Sequence, residues 1–71
     1  MSEHHGNLVV RFYPTKGEWM CVVQRVDADG MPMGEDLVTA TGKTKEDARA
    51  RAATVTEDPD IREALLVATG L

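Results

Sequence analysis

Apolar positions crowd into two consecutive stretches near the start of the chain. "LVVRFY" (8–13) and "EWMCVVQRV" (18–26) are rich in β-branched and aromatic residues, the types that suit a pleated, half-buried surface. "PTKG" (14–17) lies between them and supplies Pro14 and Gly17 as turn residues. A four-residue turn over 14–17 pairs Tyr13 with Glu18. The pairing then steps back through Phe12 with Trp19, Val10 with Cys21 and Leu8 with Val23. One face of the hairpin is thereby apolar throughout. The other carries Val9, Arg11, Tyr13, Met20, Val22 and Gln24. A slip of one residue mixes the two sets, so the pattern supports this register.

"DADGMPMG" (27–34) reads as a loop, with Asp29-Gly30 and Gly34 as turn signals. "EDLVTAT" (35–41) is a third strand. Pairing Val26 with Glu35 sets Val38 and Ala40 on the Phe12/Trp19 face, and Leu37, Thr39 and Thr41 on the other. Ala40 and Gly42 are small enough to let a helix pack close over that end of the sheet. Thr44 is a good N-cap with Asp47 three residues on, a shortened capping box. The spacing predicts a helix over 45–55 with a buried stripe of Ala48, Ala52 and Val55 and an Asp47–Arg51 pair one turn apart. Asp58-Pro59 starts a second helix, whose stripe is Ile61, Ala64, Leu65 and Ala68 and whose stop is Gly70. A rival reading makes "ALLVATG" (64–70) a fourth strand, but the cap and the spacing agree on helix. The fold class is therefore α+β: a three-stranded antiparallel β-meander covered on one face by one or two C-terminal helices, in the order β-β-β-α-α.

Composition narrows this further. The 71 residues make one small domain, 1–71, with residues 1–6 expected to be disordered. A chain that is 42% apolar and 28% charged is foldable and not a disordered segment. Phe12, Tyr13 and Trp19 all fall in the first third, which should anchor the core. Cys21 is the single cysteine, so no intrachain disulfide forms and a reducing compartment fits; pointing into the core, it is inert packing. No apolar run approaches the ~20 residues that cross a bilayer, and the expectation is a soluble cytoplasmic protein.

Charge changes the picture most. The net charge is −4, unevenly placed. Asp27, Asp29, Glu35 and Asp36 stand without a base in 27–36, and Glu57, Asp58, Asp60 and Glu63 accompany Arg62 in 57–63. Lys43, Lys45, Arg49 and Arg51 concentrate in 43–51. Binding a nucleic-acid backbone needs a basic surface, which only this patch offers. An acidic molecule suits a basic protein partner through long-range steering.

Catalytic chemistry finds no set of residues. Ser2 is the only serine, and His4 and His5 have no third metal ligand near them in sequence. "DADG" (27–30) has the opening of a calcium loop, but Met31 and Met33 follow and no glutamate closes it. The expectation is a non-enzymatic protein without metal or cofactor.

"GKTKEDARARAA" (42–53) resembles the C-terminal strand-to-helix motif of double-stranded RNA-binding domains. Thr44 takes the place of the motif's serine and Lys45 that of its first lysine; Glu46 stands where the second lysine belongs, and Ala48, Arg49, Ala52 and Ala53 follow the pattern. The resemblance implies phosphate contact at the helix start. The segment is also similar to HicB-type antitoxins and to the arm-binding domains of lambda-type integrases, and the small acidic build is similar in style to phage anti-CRISPR proteins. Two functional expectations result. The first is a protein-binding module, an inhibitor or an antitoxin-like or phage-encoded regulator. It uses the second sheet face (Val9, Arg11, Tyr13, Met20, Val22) to meet another protein, basic or nucleic-acid-binding, or a second copy of the chain. The alternative is a nucleic-acid-binding module using Lys43, Lys45, Arg49 and Arg51.

Overall fold

The structure, a computed structural model, describes residues 2–68, with side chains from residue 6 onward. Four strands, β1 (Ser2–His5), β2 (Leu8–Thr15), β3 (Glu18–Val26) and β4 (Pro32–Gly42), precede two helices, α1 (Lys45–Val55) and α2 (Pro59–Val67). The strands form one antiparallel sheet in the order β1-β2-β3-β4. The α+β class and the meander followed by helices are those the sequence pattern predicts.

The first hairpin keeps the predicted faces and changes the register. Phe12 pairs with Cys21, Tyr13 with Met20 and Thr15 with Glu18. The turn is therefore Lys16-Gly17 alone, and both residues take positive φ, 47° and 85°. Such a two-residue turn matches the twist of the flanking strands. Pro14, read from sequence as a turn residue, belongs to β2, beyond the last β1 pairing at Ser2–Arg11. Because the shift is two residues, side-chain parity survives.

β4 starts at Pro32, earlier than the predicted 35. From Trp19–Gly42 to Val23–Val38 it follows the register extrapolated from a Val26–Glu35 pair, but that pair is not made. Instead Val26 meets Pro32 and Arg25 meets Met33, leaving 34–37 opposite Gln24 alone. Gly34, at φ 74°, sits in this irregular stretch, and such insertions bend a strand and sharpen its twist.

Residues 2–5 correct the expected disordered tail: they pair with the outer edge of β2 through a Gly6-Asn7 turn, from His5–Leu8 to Ser2–Arg11. Nothing in "SEHH" favours a strand by propensity. The bare edge of β2 and the positive φ of Gly6, 63°, supply what the side chains lack.

Thr44 caps α1 as expected, its Oγ1 accepting the Asp47 N–H at 3.0 Å. Gly42 is required just before it, because a Cβ there would lie 2.6 Å from the Ala48 backbone nitrogen. Ala48 and Ala52 are fully buried against the sheet. Val55 is not: it is 61% exposed at the helix end, and Ala53 packs on the core instead. The Asp47–Arg51 pair is likewise absent among the described residues, where Glu46–Arg49 at 3.9 Å is the only ion pair. Asp58 caps α2 by accepting the Asp60 N–H at 2.8 Å, and Ile61, Ala64, Leu65 and Ala68 are buried as predicted. Helix, not strand, thus occupies the segment through Val67; the predicted stop at Gly70 lies outside the described residues. The core joins this stripe and α1's alanines to Leu8, Val10, Phe12, Cys21 and Val23, with Trp19, Val38 and Ala40 partly buried at its margin. Among the described residues no helix is long and apolar enough to cross a membrane.

Candidate functional site

The sheet face away from the helices was expected to offer Val9, Arg11, Tyr13, Met20 and Val22 to a partner. The structure closes part of it. Val9 and Val22 are 0% and 2% exposed although the helices pack on the opposite face. Cross-strand pairing puts Arg11 directly beside Val22, and Gln24 beside Val9. Both polar side chains are half-buried, and Arg11 Nε and Gln24 Oε1 are sealed from water without a hydrogen-bond partner among the described residues. Gln24 Nε2 is held by donating to Asp36 Oδ1 at 2.8 Å. A partner reaching this face meets Tyr13, Met20 and Arg11, and gains nothing from Val9 or Val22.

The four bases at 43–51 are also divided. Arg49 turns inward along α1 and its Nη1 donates to the Leu65 carbonyl at 3.1 Å, at the C-terminal end of α2. Arg62 of α2 returns the contact, donating to the carbonyls of Ala53 at 3.2 Å and Thr56 at 2.7 Å, at the C-terminal end of α1. Each helix end leaves carbonyls without an intrahelical partner, and neither helix has a base in its own last turn. Each arginine therefore supplies the other helix's missing cation and donors. Lys45 lies over the Trp19 ring, its Nζ 4.6 Å from the centroid, a cation–π contact. Lys43 and Arg51 remain exposed. The cluster that looks continuous in sequence is thus two bases held in contacts and two exposed ones.

Cys21, beneath α1, behaves as packing. Burial pushes its thiol from the usual 9.0 up to about 11, and the nearby Arg49 charge offsets this only in part. Such a thiol holds almost no reactive thiolate near neutrality.

No family model matches this chain, and neither does any curated protein or solved structure.

An open part of the molecule is the arm formed by the β3–β4 connection and the first half of β4. Met31, Met33 and Leu37 are 61%, 50% and 39% exposed. Asp27, Asp29, Glu35 and Asp36 surround them in sequence with no base from 27 to 37. Asp27 is occupied by its own loop, its Oδ1 accepting the N–H of Asp29 at 2.9 Å and of Met31 at 3.0 Å. That is turn chemistry, and among the described residues no group of three or more His, Cys, Asp or Glu gathers to hold a metal ion. Among the described residues the remaining exposed large apolar side chains are Tyr13, and Val55, Leu66 and Val67 near the ends of the helices. From sequence, 27–34 is a connecting loop, and Met31 and Met33 are not among the expected contact residues. The arm's signal was there: two methionines in a turn-rich acidic stretch, where no periodicity gives them a core to enter.

Proposed function

We propose that this protein is a small acidic protein-binding module that acts by contact and carries no chemistry of its own, with the 27–37 arm as the leading edge of the contact. The single observation that carries this reading is the exposure of Met31, Met33 and Leu37 within a stretch of uniformly negative charge. Exposed methionines adapt to varied apolar anchors. Charge of one sign steers an oppositely charged partner and speeds encounter. The matching partner is a protein surface with basic residues around one or two apolar side chains. Occupying such a surface is the act of an inhibitor or a regulator.

Affinity capture from cells that express the protein, followed by titration of the purified partner, tests this. The intact chain should retain a basic protein, with affinity that falls as salt rises, and Met31→Ser with Met33→Ser should lose it while staying folded by circular dichroism. Equal capture by both chains would overturn the reading. So would micromolar binding of random duplex nucleic acid that is lost in Lys43→Glu with Arg51→Glu.

A further inference from the structure

β4 is an edge of the sheet, and its two halves treat that edge differently. Unpaired strand edges invite pairing with another chain, and proteins guard them with proline, irregularity and charge. The first half is guarded: Pro32, the irregular stretch at 34–37, and Glu35 and Asp36. The second half, "LVTATG" (37–42), carries no charge and no proline, and runs in regular register with β3 from Val38 to Gly42. No strand among the described residues pairs with its outer side. Beside it, an open groove of about 530 Å³ runs between β4 and α1, lined by Thr39, Ala40, Thr41, Ala50, Arg51, Thr54 and Val55.

The charges along this edge are self-complementary. Acids, Glu35 and Asp36, lie just before the neutral segment; bases, Lys43 in the chain and Arg51 in the groove, lie beyond and beside it. Antiparallel pairing of the strand with its own copy sets each acidic end against the other's basic end, twice over, about a two-fold axis. A symmetric contact of this kind closes and does not propagate. We infer that the open half of β4 pairs with β4 of a second copy, antiparallel about Thr39, joining two four-stranded sheets into one. The groove residues Ala50, Thr54 and Val55 then lie along the seam. The two methionines, Met31 and Met33, lie outside the paired segment, which shares Leu37 and the flanking Glu35 and Asp36 with the arm.

The test is the mass of the intact chain by sedimentation equilibrium over a range of concentration, with circular dichroism to confirm folding. A monomer–dimer equilibrium is expected. Thr39→Lys places two like charges opposite each other at the axis and should weaken dimerisation by about tenfold or more. Glu35→Lys and Lys43→Glu should each weaken it, and the two together, which restore opposite charges across the seam, should recover it. Mixing Thr39→Lys with Thr39→Asp chains should yield a mixed dimer stronger than either alone. A monomer at every concentration overturns the inference. So does a dimer indifferent to Thr39→Lys, or a doubly reversed chain that dimerises no better than its parents. A monomer that still captures a basic partner through Met31 and Met33 leaves the protein-binding reading standing and removes only this one.

Discussion

The two ends of the long hairpin β3–β4 differ in what holds them. At the Trp19–Gly42 end, side chains are committed inward. Cys21 and Val23 are fully buried under Ala48, Ala52 and Leu65, Gly42 admits the helix backbone, and Arg49 and Arg62 satisfy the carbonyls where the helices stop. At the Val26–Pro32 end, backbone groups are satisfied by the Asp27 loop, while Met31 and Met33 touch mainly water. A chain this short has roughly 4–10 kcal/mol of stability in hand. Exposed apolar side chains at one end contribute little of it. The difference separates residues kept for the fold from residues whose position the fold does not explain, and the proposed partner contact rests on the latter.

The comparison breaks most readily at the packed end. Leu65 is fully buried between the helices and the sheet, and truncating such a residue costs about 2–5 kcal/mol. Leu65→Ala should therefore lower the denaturation midpoint steeply, down to loss of the folded state. An unchanged midpoint would mean α2 is not part of the core. Alkaline pH probes the same region next. Cys21 stays protonated in the folded chain up to about 11 but ionises near its usual 9.0 when unfolded. Between those values the unfolded state binds fewer protons, so stability falls as pH rises. The loss is roughly 2–3 kcal/mol across that window. Urea denaturation at pH 8 and pH 11 measures it, and a Cys21→Ala chain should show less of the decline.

Removing the crossed helix caps should act at a smaller scale. Arg62→Ala or Arg49→Ala each takes away charged hydrogen bonds to terminal carbonyls, a loss of about 1–3 kcal/mol per arginine. Lys43→Ala, at an exposed site without such bonds, should change stability by less than about 0.5 kcal/mol. Equal effects at Arg49 and Lys43 would return Arg49 to the pool of exposed bases. The smallest effect belongs to the open arm. Met31→Ser with Met33→Ser should leave the unfolding free energy within about 0.5 kcal/mol of the parent. A larger loss would show that these methionines support the fold after all.

Much of this division was legible in the sequence, for physical reasons that differ by element. Helix starts are written in local chemistry, so Thr44, Asp58 and Pro59 placed α1 and α2 correctly. Strand side chains repeat every two residues, so the apolar face of 8–13 and 18–26 survived a register that moved by two. The turn itself was misread because Lys16 accepts a left-handed conformation that its side chain does not advertise. β1 was illegible because it is added to an existing edge by backbone bonds, and "SEHH" carries no pattern of its own. The closing of the second sheet face, with Val9 and Val22 buried beside Gln24 and Arg11, is a cross-strand matter invisible along the chain. The basic cluster at 43–51 misled in the same way: a linear run of charge says nothing of Arg49 turning to meet Leu65 across the helix pair.

The central claim is that partner contact falls on the acidic, methionine-bearing arm and not on the basic start of α1. Amide hydrogen exchange on the chain alone and with its captured partner, both at the same chain concentration, tests that claim most directly. The account predicts slower exchange on partner binding within 27–37, with 43–51 unchanged. Slower exchange confined to 43–51, with the arm untouched, would contradict it.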